Sequence, residues 1–559
     1  MRIASLALAA LAALALPAAA QPKAPDANPI SPARLSADVK VLADASLAGR
    51  APGGPGEPGT LAYIEAQFKA AGLQPAGENG GWTQAVPLIR FTVDPAQTRF
   101  QLESGGQTRD LAETKDVMVW SQRPVDRVTV EKAPLVFVGY GVTAPERGWD
   151  DFKGVDLKGK IVVVLINDPD FEAEPGEPVA GKFGGKAATY YGRWIYKFEE
   201  AARKGALGCL IVHETAGAAY PWSTVVASNG DSYDVVRPDP EKVHPLLQGW
   251  MQRDLAVRLF KDAGLDFEAE KVRARTFGFR PVELKGAHFS ADFPIKIAKI
   301  MSHNVLGQIP GATHPKESVM FAAHWDAFGQ GPPDASGDTI RHGAIDDGMG
   351  IAGVLEIARA FGHGPKPRRT VVFAAWTAEE RGLLGSEFYA SNHPKFPLAT
   401  TAANFTMDVV QTAGPSHDTV LVGDGKSSLD ADLARAAAGQ GRRITPDPHP
   451  EKALFYRADH FSVAKRGVPT ELIMGMAGGP DLVAGGREAG DRWVNDYTAR
   501  CYHQVCDNWS AAWDLRGAAD DIALLYEVGR DLANSRAWPT WNPDSEFKAL
   551  RDQTAAQRK

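Results

Sequence analysis

Cysteine is scarce in this chain: Cys209, Cys501 and Cys506 are the three in 559 residues, and only the last two are close in sequence. No metal site can therefore be assembled from thiolates at short spacing. Cys501 and Cys506 are placed to form a disulfide if the chain is exported, whereas Cys209, inside the apolar run 206–212, reads as a buried free thiol. Basic residues are outnumbered, 61 Lys and Arg against 68 Asp and Glu for a net charge of −7, and no stretch concentrates them. A phosphate-binding stripe is absent, which excludes nucleic acid as a partner. Long hydrophobic runs are also missing. The longest, Ile3 to Leu16, falls short of the roughly 20 residues that a bilayer requires.

Several sequence signatures of common enzymes fail on inspection. There is no Gly-x-Ser-x-Gly elbow, which argues against a serine hydrolase of the common α/β type. His213-Glu214 is followed by Gly217 where a zinc-binding helix needs its second histidine. Gly139 to Ala144 fits a dinucleotide fingerprint, but Pro145 and Gly148 follow it instead of a helix. No internal repeat is present.

What the chain does contain begins with Arg2, the Ala/Leu run and a small-x-small site at Ala18 to Ala20, together a secretory signal over residues 1–20. Its removal leaves no membrane anchor and places the protein in the periplasm or outside the cell. At 559 residues with 44% hydrophobic and 23% charged, more than one domain is expected. Residues 21–114 read as an amino-terminal segment of the main domain, with two helices between about Leu35 and Ala71 flanking the Gly/Pro-rich turn 49–56. Residues 115–293 change to short β-like runs at 134–139, 159–165 and 209–212, with a helix near 197–204, and read as a separate, mostly β domain. Residues 294–545 alternate strands at 318–323, 370–375 and 403–407 with a helix at 349–361, the pattern of an α/β sheet covered on both faces. Residues 546–559 read as a polar tail.

In such sheets chemistry sits beyond the carboxyl ends of strands. Here each of those ends carries acids or histidine: His324-Trp325-Asp326, Asp346-Asp347 at the start of a helix, Glu379-Glu380 and Asp408, with His503 in a loop between the two late cysteines. Taken singly, Asp347 is a helix cap, Glu380 a surface acid and His503 a loop residue. Taken together they converge on one cleft if the strands are neighbours. Clustered carboxylates need protons or cations, and two divalent metals sharing one bridging carboxylate require five ligands, the number available. Histidine with carboxylate favours zinc in an open site. Asp334, Asp338 and His342, in the Gly/Pro/Asp stretch 329–342, read as a solvated loop and not as ligands.

At these residues the sequence resembles metallopeptidase family 28, the co-catalytic zinc exopeptidases that include aminopeptidases and glutamate carboxypeptidases. The resemblance rests on Phe321-Ala322-Ala323-His324-Trp325-Asp326, on Gly343 to Gly350, on Thr377 to Ser386, on Asn404 to Asp408, on Ala458-Asp459-His460-Phe461 and on Tyr502-His503. It implies two zinc ions per chain. His324, Asp346 and Asp408 would hold one and Asp346, Glu380 and His503 the other, with Glu379 as general base and Asp326 orienting the His324 imidazole. It also implies a cis bond between Asp346 and Asp347. The stretches 136–141, 158–163 and 204–208 resemble a protease-associated domain inserted in the peptidase. The fold class implied is a zinc-exopeptidase mixed sheet with helices on both faces plus that mostly β insert. The function implied is removal of amino-terminal residues from peptides. The alternatives are a glutamate-carboxypeptidase-like or dipeptidase activity, glutaminyl cyclisation, and an inactive binding protein on the same fold.

Overall fold

The computed structural model describes residues 28–228, 231–392 and 394–558, so the expected signal over 1–20 lies outside the described residues. Among them the strands form two large sheets. The main sheet has ten strands, and its order runs Asp231–Val235, Thr83–Thr92, Lys296–Ile309, Arg369–Trp376, His314–His324, Thr401–Asp408, Thr470–Met474, Asp418–Val422 and Arg443–Pro446, with Gln74–Pro75 paired beside Lys296–Ile309. The four strands from Arg369–Trp376 to Thr470–Met474 are mutually parallel, while the antiparallel Lys296–Ile309 and Asp418–Val422 flank them. The sheet is therefore mixed, as the resemblance implied.

The central strands are buried, His314–His324 from Ser318 onward and its neighbours along their full length, and they alternate between two cores. Val319, Phe321, Ala323, Val371, Phe373 and Ala375 face one layer, where Met349–Gly362 and Arg516–Asn534 pack. Met320, Ala322, Val372, Ala374 and Trp376 face the other, against Tyr389 of Leu384–Ser391 and Val463 of His460–Ala464. Strands enclosed on both sides require an unbroken apolar run, which is why these segments show no polar alternation in the sequence. The two amino-terminal helices, Pro32–Leu42 and Glu57–Ala70, join the first layer through Leu35, Val39, Ile64 and Phe68.

The second sheet has eight strands between Arg99 and Pro294 and encloses its own apolar clusters. It begins earlier than the predicted boundary at residue 115. The hairpin Arg99–Ser104 with Gln107–Leu111, turning on Gly105-Gly106, pairs with Val282–Pro294 and belongs to the insert. Short strands with few buried side chains carry little hydrophobic signal, so the boundary was hard to read. The insert also returns one strand, Asp231–Val235, to the edge of the main sheet. Its expected helix spans Trp194–Arg203.

The predicted polar tail is also corrected. Residues 546–558 pack on the peptidase half: the 2%-exposed Arg551 donates to the carbonyls of Thr401 and Ala402, and Phe547 is buried among Phe455, Phe461 and Trp541. Cys501 and Cys506 form a disulfide, and Cys209 is a buried free thiol.

Candidate active site

Strand connectivity reverses around His314–His324. The chain leaves this strand, adds Arg369–Trp376 on one side, then crosses to add Thr401–Asp408 on the other. Such a switch point opens a crevice at the carboxyl edge of the sheet. His324 is in register with Trp376 there, and Asp408 is the last residue of its strand, so the three segments deliver their polar residues to one place.

His324, Asp346 and Asp408 present ligand atoms within 4.8 Å of one another, and so do Asp346, Glu380 and His503. The two groups share Asp346. One of its oxygens lies 3.2 Å from Nε2 of His324 and the other 3.2 Å from Nε2 of His503, whose Nε2 is also 3.2 Å from Glu380. Both Nε2 atoms are buried and lack a hydrogen-bond partner. Glu379 does not join either group; its carboxylate lies 3.8 Å from Nε2 of His324.

The local backbone explains this arrangement. Asp347 accepts from the amides of His324 and Gly350, tying the strand end to the helix start. A Cβ on Gly350 would stand 2.3 Å from that carboxylate, so only glycine fits. The Asp346-Asp347 bond is cis, as the resemblance implied. Glu379 and Glu380 follow Ala378, whose φ of 55° turns the chain sharply after the strand. Asp326 accepts from the amides of Glu379 at 3.0 Å and Glu380 at 3.4 Å. His324 Nδ1 donates to the main-chain carbonyl of Asp326 at 3.1 Å, while the Asp326 carboxylate is 3.6 Å away, beyond hydrogen-bond reach. The expected orienting contact is thus made by the backbone of Asp326, and its side chain fixes the glutamate turn.

His503, at φ 63°, is presented by the loop that the disulfide closes. The Phe328 ring lies 4.4 Å from its ring at a tilt of 44°, and Arg341 donates to its carbonyl. His342 departs from the solvated-loop reading: it is 5% exposed, and its ring bonds to the Ala43 carbonyl and to Asp338.

The electrostatics of this cluster call for cations. Burial pushes Asp408 up to about 8, and burial raises Glu379 well above the usual carboxylate range despite His324 beside it. Burial opposes ionisation of Asp346 too, but the two imidazoles outweigh it and hold that carboxyl low. Burial would lower His503, yet Glu380 and Asp346 carry it up to about 10. Two histidine nitrogens without partners and a shared carboxylate between two triads fit a pair of zinc ions in donor type and number.

Sequence reasoning missed three supporting residues. Asp507, 2% exposed, accepts from the amides of Ile345 and Asp346. Asn304 accepts from Thr377 and donates to Gly385, bracketing the glutamate turn. Arg50 was placed in a turn of the amino-terminal segment and given no role, although it is 1% exposed beside the site. None of the three lies in a periodic pattern, and their partners are distant in sequence.

Comparison with known proteins follows the same segment. Residues 304–526 match the profile of Peptidase family M28. Leupeptin-inactivating enzyme 1 of Streptomyces exfoliatus is 27% identical over 230 residues, 40% of this chain and 48% of its own length. Aminopeptidase Y of Saccharomyces cerevisiae is 30% identical over 210 residues, 36% of this chain and 34% of its own. The chain spans under half the length of the curated relatives it matches. Among solved structures, an aminopeptidase from Aneurinibacillus sp. strain AM-1 aligns with 89% of this chain and 94% of its own at 20% identity and a TM-score of 0.44. All five clustered residues, His324, Asp346, Glu380, Asp408 and His503, fall within the segment that matches Peptidase family M28.

Proposed function

We propose that the protein is an exported, zinc-dependent exopeptidase that removes amino-terminal residues from peptides. The observation that carries this reading is the pair of ligand triads sharing Asp346, with Glu379 alongside but outside both. His324, Asp346 and Asp408 would hold one zinc ion and Asp346, Glu380 and His503 the second. Zinc held there supplies Lewis acidity, polarising the scissile carbonyl and making water a competent nucleophile at neutral pH.

The chain's own residues handle the proton. Glu379, raised by burial, is suited to accept a proton from the attacking water and return it to the departing amine. Glu380, facing His503, is committed elsewhere, so adjacent glutamates divide two tasks that one could not perform. Asp326 holds both backbone amides and thereby fixes the direction of each side chain.

The test has two parts. Metal analysis of purified protein is expected to give close to two zinc per chain; one or none would overturn the co-catalytic assignment. Aminoacyl anilides are expected to be cleaved and their N-acetylated counterparts spared. Equal cleavage of both would rule out an aminopeptidase.

A further inference from the structure

Arg50 carries a permanent charge into the interior with no acid paired to it. It is 1% exposed, ends the turn Ala45–Arg50, and holds a left-handed φ of 49° that a non-glycine residue rarely adopts. Its guanidinium makes four bonds, all to main-chain carbonyls. Nε donates to Trp325 at 2.7 Å, one terminal nitrogen to Leu42 and His342 at 2.6 Å each, and the other to Gly343 at 2.7 Å. Among the described residues no carboxylate forms an ion pair with it. A buried, unpaired charge is costly and persists only where its surroundings compensate.

Those carbonyls are not scattered. Trp325 is the residue after His324, and Gly343 lies three before Asp346. Leu42 ends the helix Pro32–Leu42, which packs against Met349–Gly362, the helix that Asp346-Asp347 opens. A Cβ on Gly343 would meet a terminal nitrogen of Arg50 at 2.9 Å, so the guanidinium lies directly on that loop. Four acids of the site, Asp507, Asp326, Asp347 and Asp346, act on Arg50 through space and favour its charged form against burial.

We propose that Arg50 is a positioning residue of the metal centre: its guanidinium clamps the strand end bearing His324 to the loop bearing Asp346 and supplies a fixed positive charge behind the acid cluster. The site is then not self-contained within residues 304–526, because one of its supports comes from the amino-terminal segment. Arginine suits the task because its planar fork reaches several carbonyls at once, and a lysine ammonium does not.

The inference rests on the two-zinc reading, and the experiment separates the two. Zinc-loaded wild type, R50A and R50K are compared by chelator competition for zinc, by near-ultraviolet circular dichroism, and by kcat and KM on an aminoacyl anilide. R50A is expected to hold zinc at least tenfold more weakly, with the loss in kcat and not in KM. Millimolar guanidinium should restore zinc affinity in R50A while leaving wild type unchanged. R50K is expected to be intermediate. A folded R50A with wild-type zinc affinity overturns the proposal, as does a loss that guanidinium does not relieve. If R50A does not fold, R50K decides: a native spectrum with weakened zinc supports the clamp, and a native spectrum with unchanged zinc refutes it. Absence of zinc from wild type would instead refute the two-zinc reading.

Discussion

Asp346 is shared by two ligand groups, whereas Asp408 serves one, and this difference has a measurable size. D408N should leave the Asp346, Glu380 and His503 group intact, and D346N should disable both. At free zinc about 100 times its dissociation constant, each occupied site stabilises the fold by about 2.7 kcal/mol. Two sites then give about 5 kcal/mol, and each kcal/mol is worth roughly 2–4 °C in Tm for a domain of a few hundred residues. Wild type should therefore melt roughly 10–20 °C higher with zinc than without, D408N about half as far, and D346N hardly at all. The apo baselines sharpen the comparison. Burial drives Asp408 up to about 8, so at neutral pH its replacement by Asn removes a group that resists ionisation. Apo D408N should consequently be no less stable than apo wild type. The assay is differential scanning fluorimetry with and without zinc, beside zinc counting. A D346N protein that keeps one zinc with a normal thermal shift would refute the shared ligand, and so would a D408N protein that loses both ions.

E379Q is expected to retain its zinc and lose turnover by roughly 10²–10⁴-fold, read as kcat beside metal content; normal turnover would remove Glu379 from the chemistry. The Cys501–Cys506 bridge closes a loop of sequence separation 5 around His503, so C501S/C506S should lose about 2 kcal/mol by loop entropy and weaken zinc at the Glu380 group. Urea unfolding and zinc titration would register both effects, and unchanged zinc binding would separate the bridge from the site. D507N alters a buried carboxyl that accepts from two amides of the Asp346 loop and should cost about 1–3 kcal/mol together with zinc affinity. Full zinc affinity in that variant would show the loop to be fixed without Asp507.

The ligands themselves were legible because their strands are short, apolar and followed at once by acids. Phe321 to His324 and Phe405 to Asp408 announce both the burial and the end of burial within a few letters. The supporting residues were not legible for the opposite reason. Arg50 and Asp507 act through backbone groups nearly 300 and about 160 positions away, and no local pattern encodes such contacts. The insert boundary at Arg99 was obscured by a hairpin whose outward side chains are mostly exposed and polar. Asp326 shows the intermediate case. Its nearness to the site was evident, but whether its carboxylate would meet the imidazole or the glutamate turn depends on less than 1 Å.

The interruption of the main sheet by the second one has a consequence for synthesis. All strands of the insert have been made once residue 294 emerges, whereas the main sheet needs segments from residue 74 to residue 474 and the centre needs His503 as well. Domains tend to fold as units in the order in which they are completed. The insert is thus positioned to fold first. Thr83–Thr92 and Lys296–Ile309, which form a long antiparallel pair, are both made before the later strands. On that order the flanks of the insert would be the seed for the rest of the main sheet, and the clustered acids and histidines would come together among the last contacts made.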